Sequence, residues 1–398
     1  MNDEQAIDST ASFECPLIEI AGAPRARGRQ YGEQASHRIQ RGIDLYSGQL
    51  ESNRLGWPDV RSIAASFEPK IEDFDPALLD EMRGIAEGAN VEFAAVLMIN
   101  ARTEILELAE RQTNARPVVL DPDGCTSIAV LPEASASGTL IHAQNWDWNA
   151  DCAGTAVVVK IRRTEGPDIL TFTEAGGLAR SGMNAAGISV TANYLGSDRD
   201  YRQVGMPLAL LRRKALEQSR LAAAMGIIYS TPKSSSNNVL VAHAHGIAID
   251  FECAPDETFQ IHAERGVIVH ANHFQSMVAL AKLRDVGVSS MPDSLYRDLR
   301  VRSLVDPFIG SLDAAHVRAA LFDDFETPWS VCRPPRRKPN GRYSASVATI
   351  LMEPSRGRME VTMLPALNRN AHQFQLEMQI EPCANNLQGL CVARPSEG

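Results

Sequence analysis

A cysteine that follows a glycine stands at the start of a β-like segment in this 398-residue chain. The sequence Asp-Gly-Cys-Thr at 123–126 ends a polar loop (112–123) and opens an apolar run (126–131). Glycine lacks a Cβ, so Gly124 can hold a strained conformation and leaves its carbonyl open to the Cys125 thiol. The Gly124–Cys125 bond is therefore a candidate for self-cleavage by an N-to-S acyl shift followed by hydrolysis.

Cleavage there would leave Cys125 with a thiol and a free α-amine on one residue. An α-amine has a pKa of about 7.7 to 8.0, so near pH 7 a neutral fraction can take the thiol proton without a histidine. A cysteine in a β-strand is more often a small buried hydrophobic residue than a nucleophile. The residues around it must decide between the two interpretations.

The next β-like segment carries Gln-Asn-Trp-Asp-Trp at 144–148. Trp146 and Trp148 are candidates to cover a substrate pocket, and Asp147 is a candidate to orient the terminal ammonium or a nearby donor. The alternative for Asp147 is an Asx turn that ends a hairpin.

Two later segments carry polar residues that could belong to the same site as Cys125. Asn272 lies in His-Ala-Asn-His at the end of a β segment, where its amide could donate to the oxyanion of a tetrahedral intermediate. Arg333 ends Ser-Val-Cys-Arg and could hold Asp147, or a substrate carboxylate, through two parallel hydrogen bonds. The alternative for Arg333 is a solvated surface charge.

The elements that would position these residues fall into two parts. Up to about residue 120 the apolar spacing predicts helices, with Pro76 at one helix start and Asn90 at its end. From Cys125 onwards, short strands separated by turn residues predict a mostly antiparallel meander. Further helices are predicted in this second part at 208–215, 221–229, 295–308 and 314–322, and a terminal hairpin turns at Pro-Ser-Arg-Gly before strand 358–364. Strands covered by helices are the expected architecture.

Composition excludes several classes of function. A net charge of -10 and a pI near 5.5 disfavour binding to nucleic acid or anionic lipid. No segment approaches the roughly 20 apolar residues of a membrane span, and the acidic opening residues do not resemble an export signal. Seven cysteines without CxxC spacing predict free thiols in a reducing compartment, so we expect a cytoplasmic protein. Neither a metal site nor a cofactor is predicted.

Four blocks in one order resemble the acyl-coenzyme A:isopenicillin N acyltransferase family. They are DGCTSIAV (123–130), QNWDW (144–148), HANHF (270–274) and SVCRP (330–334). Residues 23–34 and 81–93 resemble the propeptide region of that family, so the resemblance covers about residues 17–365.

The resemblance implies the N-terminal nucleophile hydrolase fold, an α+β four-layer αββα sandwich with an N-terminal helical propeptide region, cut before the cysteine. It implies that Cys125 is the nucleophile, that Asp147 and Arg333 are the paired charges of the site, and that Asn272 is the oxyanion donor. Ser236, in a Ser-Ser-Asn-Asn run, occupies the place of a serine-rich segment in the family and is a secondary candidate for the substrate pocket, as are the two tryptophans.

We therefore expect a propeptide or small subunit at 1–124 and a catalytic domain at 125–398. The predicted activity is hydrolysis of a linear amide, of the N-acyl amine or N-acyl amino acid type, through a Cys125 thioester, with acyl transfer left open. The alternatives are a coenzyme A-dependent N-acyltransferase and an uncleaved binding protein of the same fold. The expected partners are a small-molecule amide and the chain's own propeptide fragment as a heterodimer partner. Homo-oligomer formation is left open.

Overall fold

A computed structural model describes residues 13–52, 56–105, 108, 124–338 and 341–380, and the polar loop predicted at 112–123 lies outside these ranges. The first part of the chain forms the helices α1 (Pro24–Ser52), α2 (Trp57–Phe74), α3 (Pro76–Ala89) and α4 (Phe93–Asn100). The predicted ends of α3 are confirmed. The Asp75 carboxylate accepts a hydrogen bond from the Ala77 N–H at 2.9 Å, and Asn90 ends the helix in the left-handed conformation.

Two β-sheets form the centre of the molecule. The first has eight strands in the order β1-β4-β5-β6-β7-β8-β9-β10. Its strands are β1 (Leu17–Ala21), β4 (Ala156–Arg162), β5 (Ile169–Glu174), β6 (Ser181–Asn184), β7 (Ile188–Tyr194), β8 (Asn237–His243), β9 (Ile247–Cys253) and β10 (Thr258–Ile261). Strand β1 corrects the purely helical prediction for the N-terminal part, since it pairs in parallel with β4 at the edge of this sheet.

The second sheet has seven strands in the order β11-β2-β3-β13-β14-β15, with β12 paired to β13. Its strands are β2 (Cys125–Val130), β3 (Ile141–Asn149), β11 (Val267–His270), β12 (Arg336–Arg337), β13 (Tyr343–Glu353), β14 (Arg358–Met363) and β15 (Ala371–Gln375). The predicted terminal hairpin is β13 and β14.

Helices cover the outer face of each sheet. Helix α1, with α5 (Leu208–Leu216) and α6 (Leu221–Ser230), packs on the eight-stranded sheet. Two short helices, α7 (Met277–Lys282) and α8 (Gly287–Ser290), lead to α9 (Asp293–Val305) and α10 (Ala314–Leu321), which pack on the seven-stranded sheet. The predicted fold class, an α+β four-layer αββα sandwich with N-terminal helices, is confirmed.

The inner faces of the two sheets meet through polar side chains as well as apolar ones. The His142 ring lies between the hydroxyls of Ser189 and Thr191, each 2.8 Å from a ring nitrogen. The Gln144 amide donates to the Asn193 side chain at 2.7 Å. These contacts show that alternate residues of β3 point at the eight-stranded sheet.

One hydrophobic core cluster includes residues from both sides of Cys125, among them Tyr31 and Ile39 from α1 and Trp146 and Phe172 from the sheets. The predicted division at residue 124 therefore does not separate two cores. None of the described helices has the length and apolarity needed to cross a membrane.

Candidate active site

Cys125 is the first residue of β2 and lies opposite Trp146 of β3. The side chain is buried, with 6% of the residue exposed. Both ends of the preceding peptide bond are held by hydrogen bonds. The Gly124 carbonyl accepts from the Asp147 backbone N–H at 2.9 Å, and the Cys125 N–H donates to Oδ1 of Asn272 at 2.7 Å.

Gly124 is required for a different reason from the one predicted. It is not among the described glycines with positive φ, so its backbone does not need the left-handed region. A Cβ at this position would lie 2.6 Å from Nη2 and 2.9 Å from Cζ of Arg297. The absence of a side chain therefore makes room for a buried guanidinium against the Gly124–Cys125 peptide.

Asp147 and Arg333, which the sequence paired, do lie together. The Arg333 Nε is 3.4 Å from Asp147 Oδ2, and both side chains are almost fully buried. Asp147 Oδ1 accepts from the Ser346 hydroxyl at 2.6 Å, and the same hydroxyl accepts from the Arg333 backbone N–H at 2.8 Å. A bulge in β13 between Ser346 and Ala348 interrupts the pairing with β3 at this point.

The charges continue from Arg333 into helix α9. Asp293 forms ion pairs with Arg333 and, at 2.9 Å, with Arg297 one helical turn further on. Burial raises the pKa of the Asp293 carboxyl, but the two arginines outweigh it and the net pKa is lowered. Two carboxylates and two guanidinium groups alternate in this quartet, which we define as Asp147, Arg333, Asp293 and Arg297. Its charges balance.

Arg297 connects the quartet to Cys125. Its guanidinium donates to the Cys125 carbonyl at 2.6 Å, to the Thr126 hydroxyl at 2.8 Å and to Oδ1 of Asn272 at 2.8 Å. The side chain is fully buried. Asp293 was missed in the sequence because the predicted helix began at residue 295, and Arg297, which lies within that helix, was not assigned to the site. Their i, i+4 spacing at a helix start was the available signal.

Asn272 faces Cys125 with its amide oxygen. Oδ1 accepts from the Cys125 N–H and from Arg297, while Nδ2 donates one hydrogen to the Tyr194 carbonyl at 2.8 Å. An amide nitrogen carries two hydrogens, so the second can still serve the oxyanion role predicted for Asn272. The structure adds a contact that the sequence did not predict, namely the acceptor for the Cys125 nitrogen.

Burial raises the pKa of the Cys125 thiol, and the Asp147 carboxylate raises it further. The guanidinium groups of Arg180 and Arg297 act in the opposite direction. The thiol is thus mainly protonated, and a base would be needed for it to act as a nucleophile.

The two tryptophans lie on the face of β3 that points at the eight-stranded sheet. Trp146 is fully buried, with the Arg180 guanidinium 4.0 Å from its ring centroid. Trp148 is partly exposed, with the Arg102 guanidinium 4.4 Å from its ring centroid. The structure thus places Trp146 beside Cys125 and Trp148 one step further along the strand.

Ser236 lies in the loop before β8. Its hydroxyl donates to the Asp200 carboxylate at 2.5 Å and lies 2.8 Å from the Ser197 hydroxyl, and its carbonyl accepts from the Leu195 N–H. None of the contacts described for Ser236 reaches Cys125. The structure therefore places it in the network that holds the loop after Tyr194, not against the thiol.

The family model described as acyl-coenzyme A:6-aminopenicillanic acid acyl-transferase matches residues 134–364, more than half of the chain. The match begins after Cys125 and includes Asp147, Asn272 and Arg333. The 40 kDa form of the acyl-coenzyme A:6-aminopenicillanic-acid acyltransferase from Emericella nidulans is 29% identical over 325 residues, which make up 79% of this chain and 84% of that protein.

Two solved structures are also similar. A variant of the conjugated bile acid hydrolase from Clostridium perfringens is 13% identical, with a TM-score of 0.43 over 63% of this chain and 92% of that one. Penicillin V acylase from Agrobacterium tumefaciens is 15% identical, with a TM-score of 0.42 over 63% of this chain and 86% of that one. The predicted enzyme class, hydrolysis of linear amides or N-acyl transfer, is confirmed. On the match of the family model, the chain belongs to the acyl-coenzyme A:6-aminopenicillanic acid acyltransferase family.

Proposed function

We propose that this protein is made as a precursor that cuts its own Gly124–Cys125 bond and then hydrolyses a small linear amide through a thioester on Cys125. The observation that carries the proposal is the pair of hydrogen bonds at the bond to be cut. The Asp147 N–H polarises the Gly124 carbonyl, and Asn272 fixes the Cys125 nitrogen.

Self-cleavage follows from this geometry in two steps. The Cys125 sulfur attacks the Gly124 carbonyl carbon while the Asp147 N–H stabilises the developing oxyanion. The C–N bond then breaks, the thiol proton ends on the Cys125 nitrogen, and Gly124 is left as a thioester. Water hydrolyses that thioester, which gives a Gly124 carboxylate and restores the thiol.

The same atoms then serve the substrate. The new α-amine of Cys125 takes the thiol proton, and the thiolate attacks the amide carbonyl of the substrate. The proton passes to the leaving amine, and water releases the acyl group as a carboxylic acid. Asn272 Oδ1, which accepts from the amide N–H before the cut, accepts from the ammonium after it. The segment 1–124 stays bound as the small subunit.

Intact mass of the purified protein tests the cleavage. We expect two species, the 124 residues before the bond and the remaining 274 of the 398, with the larger one beginning at Cys125. Cys125→Ala should give one full-length species because it has no nucleophile. Full-length wild-type protein, or cleavage of Cys125→Ala at the same bond, would contradict the proposal.

Asn272→Ala tests the catalytic role. We expect slower self-cleavage, because the Cys125 nitrogen loses its acceptor, and a loss of about 100- to 1000-fold in kcat on the cleaved fraction. Asn184→Ala is the matched control. Asn184 is also buried, donates two hydrogen bonds and accepts one, but it lies at the end of β6. Equal kcat values for Asn272→Ala and Asn184→Ala would remove Asn272 from the site.

The relative from Emericella nidulans suggests the alternative, in which an acyl group passes from an acyl-coenzyme A thioester to an amine. Comparing kcat/KM for an amide and for the acyl-coenzyme A thioester of the same acyl group decides between the two donors. A higher value for the amide, with free acid as the product, supports the hydrolase.

A further inference from the structure

Arg180 is a partly exposed arginine at the site of the nucleophile. It lies in the turn between β5 and β6, with its guanidinium 4.0 Å from the centroid of the Trp146 ring. Trp146 is the cross-strand partner of Cys125, and paired residues in an antiparallel ladder point to the same face. The guanidinium of Arg180 therefore covers Trp146, the residue beside the Cys125 thiol.

The other arginines around Cys125 are already paired with carboxylates. Arg333 and Arg297 share Asp147 and Asp293 in the balanced quartet. These two guanidinium groups are already paired with carboxylates of the protein. This pairing argues against the prediction that Arg333 holds a substrate carboxylate.

Among the described residues on the Trp146 side of Cys125, the charges do not balance. Arg102 forms an ion pair with Glu174 and donates to the Tyr46 hydroxyl at 2.5 Å. Arg212 is buried and donates to the Arg180 carbonyl at 3.0 Å, with the Glu104 carboxyl as its nearby opposite charge. Three guanidinium groups thus face two carboxylates. Within the described part of the chain, Arg180 has no carboxylate oxygen within 4.0 Å.

The indole N–H of Trp146, in the same stack, lacks an acceptor among the described residues. Nε1 of Trp146 is buried, and no hydrogen-bond acceptor for it is found in the described part of the chain. A buried N–H without a partner is costly, and an indole has no other polar atom that could compensate. Within the described part of the chain, Arg180 thus presents a guanidinium without a carboxylate partner, and Trp146 an N–H without an acceptor, beside Cys125.

Burial and the positive charge of Arg102 lower the pKa of Arg180 to about 9. The charged guanidinium is therefore held where an anion would stabilise it. Guanidinium groups match carboxylates in shape, because two parallel N–H groups meet two oxygens.

We propose that Arg180, stacked on Trp146, binds a carboxylate of the substrate, so that the preferred amides carry an anionic group close to the scissile carbonyl. This inference rests on the proposed amide hydrolysis and adds the substrate class to it. The carboxylate can belong to the acyl half or to the amine half of the amide, and matched substrates distinguish the two.

The test compares substrates that differ only in this charge. On the acyl side, an N-glutaryl anilide is compared with its primary carboxamide. On the amine side, an N-butyryl amino acid is compared with the corresponding amino acid amide. In one of the two pairs we expect a preference in kcat/KM of about 10- to 100-fold for the carboxylate, as for a hydrogen bond to a charged group.

Arg180→Gln should abolish that preference. Arg180→Lys should leave an intermediate preference, because lysine keeps the positive charge but lacks the two parallel N–H groups of a guanidinium. Arg336→Gln is the matched control. Arg336 is also partly exposed and stacked on a tryptophan, with its Cζ 3.8 Å from the Trp329 ring centroid. Its loss should leave the preference as in the wild type.

The outcomes separate this inference from the proposed function. Hydrolysis of amides with no preference for the carboxylate in either pair, or a preference that survives Arg180→Gln, overturns the inference and leaves the hydrolase in place. No hydrolysis of any amide contradicts the proposed function. In that case calorimetric binding of the same pairs to the wild-type protein still decides, because equal affinity for carboxylate and carboxamide overturns the role of Arg180.

Discussion

At the scale of single residues, residue type and order along the chain were enough to predict which side chains lie together in the candidate site. Cys125, Asp147, Asn272 and Arg333 all lie within one connected network. Residue type did not indicate which atom of a side chain faces Cys125. Asn272 was predicted as a donor alone, and only the fold shows that its oxygen faces the Cys125 nitrogen.

Gly124→Ala is expected to block or strongly slow self-cleavage. The added Cβ would lie 2.6 Å from Nη2 of Arg297, and that guanidinium is held in place by Cys125, Thr126 and Asn272. The clash must therefore displace the peptide bond that is to be cut. The rate of appearance of the 274-residue fragment, measured by mass spectrometry, reports the effect.

Gly226→Ala, in helix α6, is the control because a Cβ there meets no atom within 4 Å. It should be cut at the wild-type rate. If Gly124→Ala is cut as fast as Gly226→Ala, contact with Arg297 is not the reason for a glycine at this position.

At the scale of elements, helix α9 was predicted close to its observed position, but none of its residues was assigned to the site. Its first turn supplies Asp293 and its second supplies Arg297, so the helix start presents one acidic and one basic residue to the site. The periodicity of a helix predicts which residues share a face, but the partner of that face is set by tertiary packing.

Asp293→Ala should destabilise the protein by about 3 kcal/mol or more, because two buried guanidinium groups lose their shared carboxylate. Urea unfolding followed by circular dichroism measures the change.

Asp306→Ala removes an exposed carboxylate that pairs with Arg265 at 2.5 Å, and should cost at most about 1 kcal/mol. Equal destabilisation by Asp293→Ala and Asp306→Ala would show that the quartet contributes no more than a surface ion pair.

Strand prediction from the sequence was less complete than helix prediction. Helix α3 begins and ends at residues with a local cause, Asp75 and Asn90. Strand β1 has only five residues, and the partner that makes it a strand is β4, more than 130 residues later in the chain. Pairing at that distance leaves no local pattern that distinguishes a short strand from a loop.

At the scale of the whole molecule, the two sheets meet through a partly polar interface that depends on neutral histidine. Burial lowers the pKa of His142 to about 3, from a usual value near 6.5. Because the folded pKa is the lower one, the contribution of His142 to stability is present above pH 6.5 and is lost as the pH falls towards 3.

His142→Gln should weaken the acid sensitivity of the fold. Glutamine can still bond to Ser189 and Thr191 but takes up no proton on unfolding. The difference in unfolding free energy between wild type and variant should fall by about 1.4 kcal/mol for each pH unit between pH 6 and pH 4.

Unfolding at pH 8, where the His142 ring is neutral in both the folded and the unfolded state, gives the packing cost of the substitution. Parallel stability curves for the two proteins from pH 8 to pH 4 would contradict a neutral buried His142.

The proposed cleavage would have a further consequence for strand β1. In the precursor, β1 reaches β4 as part of one polypeptide, so its pairing does not depend on how dilute the protein is. Once the Gly124–Cys125 bond is cut, the edge of the eight-stranded sheet belongs to a separate chain and its occupancy obeys mass action. The melting temperature of the mature enzyme should then rise with total protein concentration, whereas that of uncut Cys125→Ala should not.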